Sequence, residues 1–223
     1  MNLARIRALA RKLTGRSEFE VAAHFGRIYE RNLFGGDESV SGQGSTWEQT
    51  AVIRRELPQL FQRRGVRSVL DAPCGDGHWI MALDWSVIAY TGVDVVPALI
   101  QANTVRHADR SGRFLVGDLC RDPLPPADLI LCRDCWVHLD FRQIKACLVN
   151  FRRSGAKYLL TTTFPAHPRN RDLMGLIWRP LNLQAPPFNF PAPLDVIVEG
   201  CTEEGGRFAD KALACWNLPE LAP

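Results

Sequence analysis

What the chain lacks excludes several classes before any motif is read. No apolar run approaches the roughly 20 residues needed to span a bilayer, so no transmembrane segment is expected. The N-terminus, MNLARIRALARKLTGR, is basic but has neither an apolar h-region nor a small-residue cleavage site, and a secretory signal is not expected. Strong charge of either sign is missing too. The 27 Lys+Arg against 24 Asp+Glu leave +3, too little to argue for a nucleic-acid partner. There is no internal repeat or low-complexity tract. Cys132 and Cys135 form a C-x-x-C, but no second Cys/His pair stands at ligand spacing, so no metal is expected. The seven cysteines are an odd number set mostly in apolar runs. They read as reduced, buried thiols of a cytoplasmic protein.

What remains is an ordinary globular composition, 46% hydrophobic and 23% charged, at a length that can build one core. One domain over 65–223 is expected, with residues 1–64 as an N-terminal helical extension and cofactor-closing loop. Leu3, Ile6, Ala10 and Leu13 have helical spacing with Arg5, Arg7, Arg11 and Lys12 between them. Such a helix packs on the domain or on a second subunit, which would make a homo-oligomer. A resting place on an anionic membrane is the sharper alternative, and no Trp or Phe anchor supports it. Residues 35–46 read as a Gly/Ser loop, after which Thr46 caps a helix over 47–63 that Gly65 closes.

Strand and helix then alternate. Apolar strands are expected at 67–72, 88–94, 114–118, 127–132 and 158–163. Helices are expected after CGDGHWIMAL begins, over 96–106 and over 141–151. That rhythm predicts a mostly parallel sheet covered on both faces by helices, an α/β doubly wound fold. Seven prolines (165, 168, 180, 186, 187, 191 and 193) interrupt it, and 164–193 is read as an ordered lid or substrate insertion. Residues 194–199 and 212–217 supply two last strands.

Three acids end three successive strands, at the sheet edge where open α/β folds bind ligands. Asp71 precedes Gly75 and Gly77 in D-A-P-C-G-D-G, where glycine lets the backbone approach a ligand. Asp94 ends the second strand and is placed to accept both hydroxyls of a ribose. Asp118 ends the third and could take an adenine amino group. A dinucleotide site shares the first two features but usually carries G-x-G-x-x-G. This loop has only G-x-G, so an NAD-linked oxidoreductase is the weaker alternative.

The segments VLDAPCGDG, YTGVD, FLVGDL and ADLILCRDCWVHL resemble the core of the class I S-adenosylmethionine (SAM)-dependent methyltransferases. Pro73 and Cys74 before the first Gly depart from that pattern. The resemblance implies a seven-stranded sheet with a reversed last strand, SAM over its first half and an acceptor over strands four and five. It implies a cofactor set of Asp71, Pro73, Cys74, Gly75, Gly77 and Asp94, continued by Val95, Asp118, Leu119 and Arg133. Ser45 and Thr46, at a helix N-terminus with free N–H groups, are expected to close over the amino-acid end.

Methyl transfer is an in-line displacement governed by positioning, and an oxygen nucleophile also needs a base. Asp134 and His138, just beyond the fourth strand, are the expected catalytic groups. Substrate contacts are expected from His167, Trp178, Arg179, Asn182 and Phe188. The expected activity is transfer to an oxygen or nitrogen of a small molecule or glycan. A non-catalytic SAM-binding protein is the remaining alternative.

Overall fold

The computed structural model describes residues 19–173 and 178–222. The basic helix expected over 3–13 lies outside them. Helix α1, Phe19–Glu30, places Val21, Phe25, Ile28 and Tyr29 on one face at i, i+4, i+7 and i+8. Sequence reasoning passed over this helix. Helix α2 is Ala51–Arg64 and ends where Gly65 enters the left-handed region at φ 63°. It starts four residues later than expected, because Thr46–Thr50 is spent on a turn. The amide and hydroxyl of Thr50 both donate to the Thr46 carbonyl there.

The strands are β1 (Ser68–Asp71), β2 (Ala89–Asp94), β3 (Gly112–Val116), β4 (Leu129–Cys132), β5 (Tyr158–Thr163), β6 (Asp195–Val198) and β7 (Ala212–Asn217). They form one sheet in the order β3-β2-β1-β4-β5-β7-β6. All pairings are parallel except those of β7, which runs against both β5 and β6. This is the expected seven-stranded, mostly parallel sheet with a reversed last strand. Strand order changes direction at β1 and β4, and the crevice at their carboxyl ends is the natural ligand site.

Neighbouring residues of a strand alternate between two apolar layers. Val69, Leu129, Leu131, Leu160 and Leu213 pack with Ile53, Leu57, Leu60 and Phe61 of α2. Leu70, Ile130, Leu159, Ala214 and Trp216 pack on the other face with Ile144, Cys147, Leu148 and Phe151 of helix α4, Phe141–Arg153. Helix α2, on the N-terminal side of the division expected at residue 64, thus packs as a layer on the sheet. Helix α4 starts cleanly because Asp140 and Gln143 form a reciprocal capping box. Helix α3, Pro97–Arg106, covers β2 and β3.

Two local expectations need correction. The segment after β1 makes no α-helix, only a 3₁₀ turn at Ile80–Ala82. Gly75 and Gly77 stand at φ 53° and 66°, which winds the chain left-handed where a helix would begin. The Trp85 indole then donates to the Ile80 carbonyl and fixes the turn. Strand β3 also ends two residues early, so Asp118 sits in the turn beyond it.

The insertion at 164–193 is also more firmly packed than a lid. Leu181, Leu183, Phe188 and Phe190 are buried in the α4-side core. Phe188 packs edge-on against Phe141 at 5.2 Å.

Candidate functional site

A cavity of about 560 Å³ opens along the carboxyl ends of β1, β2 and β4. One half is polar and built on the first three strand ends. Asp71, Pro73, Cys74 and Gly75 line it from β1, and Asp94 and Val95 from β2. Asp118 and Leu119 close the far side. Asp94 is buried, and its carboxylate accepts the amides of Gly75 at 3.2 Å and Val96 at 3.0 Å. Burial pushes its pKa up to about 6 against those amides, which favour the charge. Asp71 rises to about 7, again from burial, although the Tyr90 hydroxyl donates to it at 2.8 Å. Asp118 is more fully engaged, since Arg121 holds Oδ2 at 2.7 Å and the Cys120 amide holds Oδ1 at 2.8 Å.

A loop from the N-terminal segment covers this half. Asp76 Oδ1 accepts the hydroxyls of Ser39 and Ser41, and Oδ2 accepts the Val40 amide. The Ser41 hydroxyl in turn accepts the Asp76 amide at 3.1 Å. The glycine turn and the covering loop are therefore locked together, and Ser41, Gln43 and Ser45 line the cavity. Sequence reasoning missed Asp76. Its signal was an acid between two turn glycines.

Gly75 is required here for two reasons. Its φ of 53° is unfavourable for any side chain, and a Cβ would drive into Ser41 Oγ. Gly75→Ala should cost about 1–2 kcal/mol for the backbone alone, or roughly 2–8 °C in Tm. Gly75→Ala/Ser41→Gly removes the clash but also the two Ser41–Asp76 hydrogen bonds, so it should not regain the parental Tm. Full recovery of Tm in thermal melts would show that the backbone conformation is not the constraint.

Beneath the loop lies a buried ionic quartet. Arg133 donates Nε and Nη2 to Glu199 at 3.2 and 2.6 Å, and Nη2 also to the Gly44 carbonyl at 2.8 Å. Lys211 Nζ sits 2.6 Å from Asp134 and 3.5 Å from Glu199. Burial alone would raise the Asp134 pKa, but the Lys211 and Arg133 cations outweigh it and hold the carboxyl at about 2. Glu199 and Lys211 were missed as well. Glu199 closes DVIVE at a strand end, the same signal the first three acids gave.

The other half of the cavity is a ring-lined chamber. Phe25, Tyr29 and Phe34 line it from α1 and the turn after it, and Phe164, Trp178 and Phe208 line it as a second cluster of rings. Trp178 lies 5.8 Å from Phe164 and 4.8 Å from Phe208. His138 packs on Phe34 at 5.4 Å, and burial lowers its pKa to about 4 despite the nearby Asp134. It is neutral near pH 7, as a base must be, but weaker than an ordinary imidazole.

Several expected site residues do not reach the cavity. Gly77 serves the turn, where a Cβ would crowd Met81 and His107. Thr46 is occupied within its own turn, its hydroxyl taking the Gln49 amide. Of the expected substrate contacts, only Trp178 lines the chamber. Arg179 donates to the carbonyls of Trp136 and Leu139. Asn182 donates to the carbonyls of Pro165 and His167. Phe188 is core. His167 lies in the turn that Asn182 braces, away from the chamber. Long polar side chains in a proline-rich segment satisfied backbone groups there instead of a ligand.

Among the described residues, no group of three or more His, Cys, Asp or Glu could hold a metal, and no helix is long and apolar enough to cross a membrane.

Residues 69–156 match the family profile described as a methyltransferase domain. A protein of Pyrococcus horikoshii OT3 superposes with a TM-score of 0.54 at 17% identity, over 78% of this chain and 92% of that one. Magnesium protoporphyrin IX methyltransferase of Synechocystis PCC 6803, with bound S-adenosylhomocysteine, superposes with a TM-score of 0.50 at 14% identity, over 67% of this chain and 73% of that one. At these identities the likeness is one of fold. A search of curated protein sequences found no match. The matched residues 69–156, the order β3-β2-β1-β4-β5-β7-β6 and the reversed β7 agree with the fold that the resemblance to class I SAM-dependent methyltransferases implied.

Proposed function

We propose that this protein is a SAM-dependent methyltransferase that acts on an oxygen or nitrogen of a small molecule with an apolar, ring-bearing body. The observation that carries this is one cavity lined both by Asp71, Asp94 and Asp118 and by a cluster of aromatic rings. A glycan would present many hydroxyls, and the chamber walls offer few groups to pair with them. Incubating the protein with SAM and either hydroxyl- and amino-bearing aromatics or oligosaccharides tests the choice. S-adenosylhomocysteine should accumulate with the aromatics alone. Accumulation only with oligosaccharides would reverse it.

The cavity's donors and acceptors fit SAM. Asp94 keeps lone pairs for a ribose diol after its two amide bonds. Val95 and Leu119 supply apolar faces for an adenine beside Asp118. Asp71, Ser41 and Ser45, which line the cavity, would take the amino-acid end, with Arg133 holding the covering loop through Gly44. When bound, SAM supplies a sulfonium methyl that a nucleophile displaces in line. Asp134, held ionised by Lys211, accepts a hydrogen bond from the acceptor and orients it. His138 remains the neutral base for an oxygen acceptor. The acid limb it would give lies near pH 4, where its own proton returns. Residues 19–46 form the closing segment over both halves. The seven free thiols favour a reducing, cytoplasmic setting.

Affinity should depend on pH through Asp94. Its pKa of about 6 in the free protein lies above the ordinary value of about 3.9. Ribose hydroxyls favour the ionised form, so binding should expel a proton near pH 6. Affinity for S-adenosylhomocysteine should fall as pH drops through about 6. Asp71 titrates in the same range, so calorimetry on Asp94→Asn isolates the effect. An unchanged pH dependence in that variant would assign the proton elsewhere.

A further inference from the structure

The quartet of Arg133, Lys211, Asp134 and Glu199 balances two cations against two carboxylates. Glu203 stands outside it and lines the same cavity. Its Oε2 accepts the Cys201 thiol at 3.5 Å, a weak donor, and no Lys or Arg among the described residues forms an ion pair with it. Neighbouring Glu204 is exposed and already faces Arg207 at 3.5 Å.

The geometry around Gly44 sets Glu203 beside the quartet. A Cβ there would stand 3.3 Å from Asp134 Oδ2, 3.4 Å from Glu203 Oε2 and 3.4 Å from Lys211 Nζ. These charged atoms converge beside one glycine on the cavity wall. With the quartet neutral, the polar end of the chamber keeps one negative charge. The rings of Phe164, Trp178 and Phe208 form the wall of that chamber, and aromatic faces attract cations. An anionic acceptor would meet an unpaired carboxylate. A neutral alcohol would leave that carboxylate desolvated without a counter-charge.

Resting on the methyltransferase reading above, we infer that the acceptor is an amine on a ring-bearing small molecule, and that Glu203 is the carboxylate that binds it. The ammonium form enters and donates to Glu203. It passes one proton to that carboxylate, which frees the nitrogen lone pair. The nitrogen–methyl bond forms as the sulfur–methyl bond breaks, and that bond's electron pair stays on sulfur. The product is a methylated ammonium with S-adenosylhomocysteine, and the proton on Glu203 returns to water.

The test uses the full chain saturated with S-adenosylhomocysteine. 2-Phenylethylamine and 2-(1-naphthyl)ethylamine are titrated beside the matching alcohols and carboxylates, with calorimetry as the readout. At least one amine should bind tenfold or more tightly than its alcohol, with the carboxylate weakest. Glu203→Gln should bring the amine down to the alcohol's level, with the alcohol binding no more weakly than before and the S-adenosylhomocysteine affinity unchanged. Equal binding of amine and alcohol, no binding by either amine, or an amine preference that survives Glu203→Gln would overturn the inference. If S-adenosylhomocysteine itself does not bind, the methyl-transfer reading fails and this inference falls with it. A failure confined to the amine series overturns this inference alone.

Discussion

Replacing Asp94 by Ala should weaken S-adenosylhomocysteine binding by about 1.5–3 kcal/mol, roughly 10- to 150-fold, the usual worth of hydrogen bonds to a charged group. The side chain ends β2 at the edge of the cavity, and its two backbone partners leave acceptor capacity for a ribose. The fold should survive the change. Burial disfavours the Asp94 charge in the free protein, so removing it relieves a strained ionisation. Loss of the Gly75 and Val96 amide bonds works the other way and leaves Tm close to the parent value. Titration calorimetry gives the affinity and a thermal melt the control. A folded Asp94→Ala protein with parental affinity would remove Asp94 from the cofactor site.

Lys211→Met should produce the largest loss of stability. The ammonium is buried between Asp134 and Glu199, and its loss leaves the quartet with one uncompensated negative charge. Breaking a buried ion pair from one side costs about 3–5 kcal/mol. The low end applies, because the Asp134 side chain keeps 27% of its exposure. About 3 kcal/mol corresponds to roughly 6–12 °C in Tm. The pH dependence has a definite sign. The folded pKa of Asp134 is depressed to about 2, so its pairing stabilises the parent above the unfolded value near 3.9. That contribution is lost as pH falls through about 2. Lys211→Met should lose much of this acid-side transition. Lys211→Met/Asp134→Asn should recover part of the stability, since the second change removes the orphaned charge. Strict additivity of the two changes in urea unfolding would show that they do not form one network.

The sheet was legible because its signals were local. VLD, YTGVD and ADLILC are short apolar runs, and helical spacing separated several of them, so their alternation implied the parallel pairing. Asp71 and Asp94 were legible for the same reason, since position at a strand end fixes the edge a side chain reaches, and Asp118 reaches the same cavity from just beyond β3. The roof of the site was not legible. Val21, Phe25, Ile28 and Tyr29 have helical spacing, but nothing local says their stripe faces a cavity rather than a core. Glu199 and Lys211 meet Arg133 and Asp134 across 66 and 77 residues of chain, a pairing that only the β5-β7-β6 arrangement creates. The proline-rich segment misled for a physical reason. Its prolines break regular structure, but its Leu and Phe side chains still need burial, and they found it against α4. CGDGHWIMAL misled because its apolar spacing fits a helix, whereas two left-handed glycines at its start give a tight turn.

The proposed methyl transfer requires an adenosyl ligand, without a pyrophosphate, at the β1–β2–β3 edge. Separate calorimetric titrations of the full chain with SAM, S-adenosylhomocysteine and NAD test this most directly. The prediction is one-to-one binding of SAM and S-adenosylhomocysteine, with no heat of binding from NAD. Saturable binding of NAD with none of SAM or S-adenosylhomocysteine would contradict it.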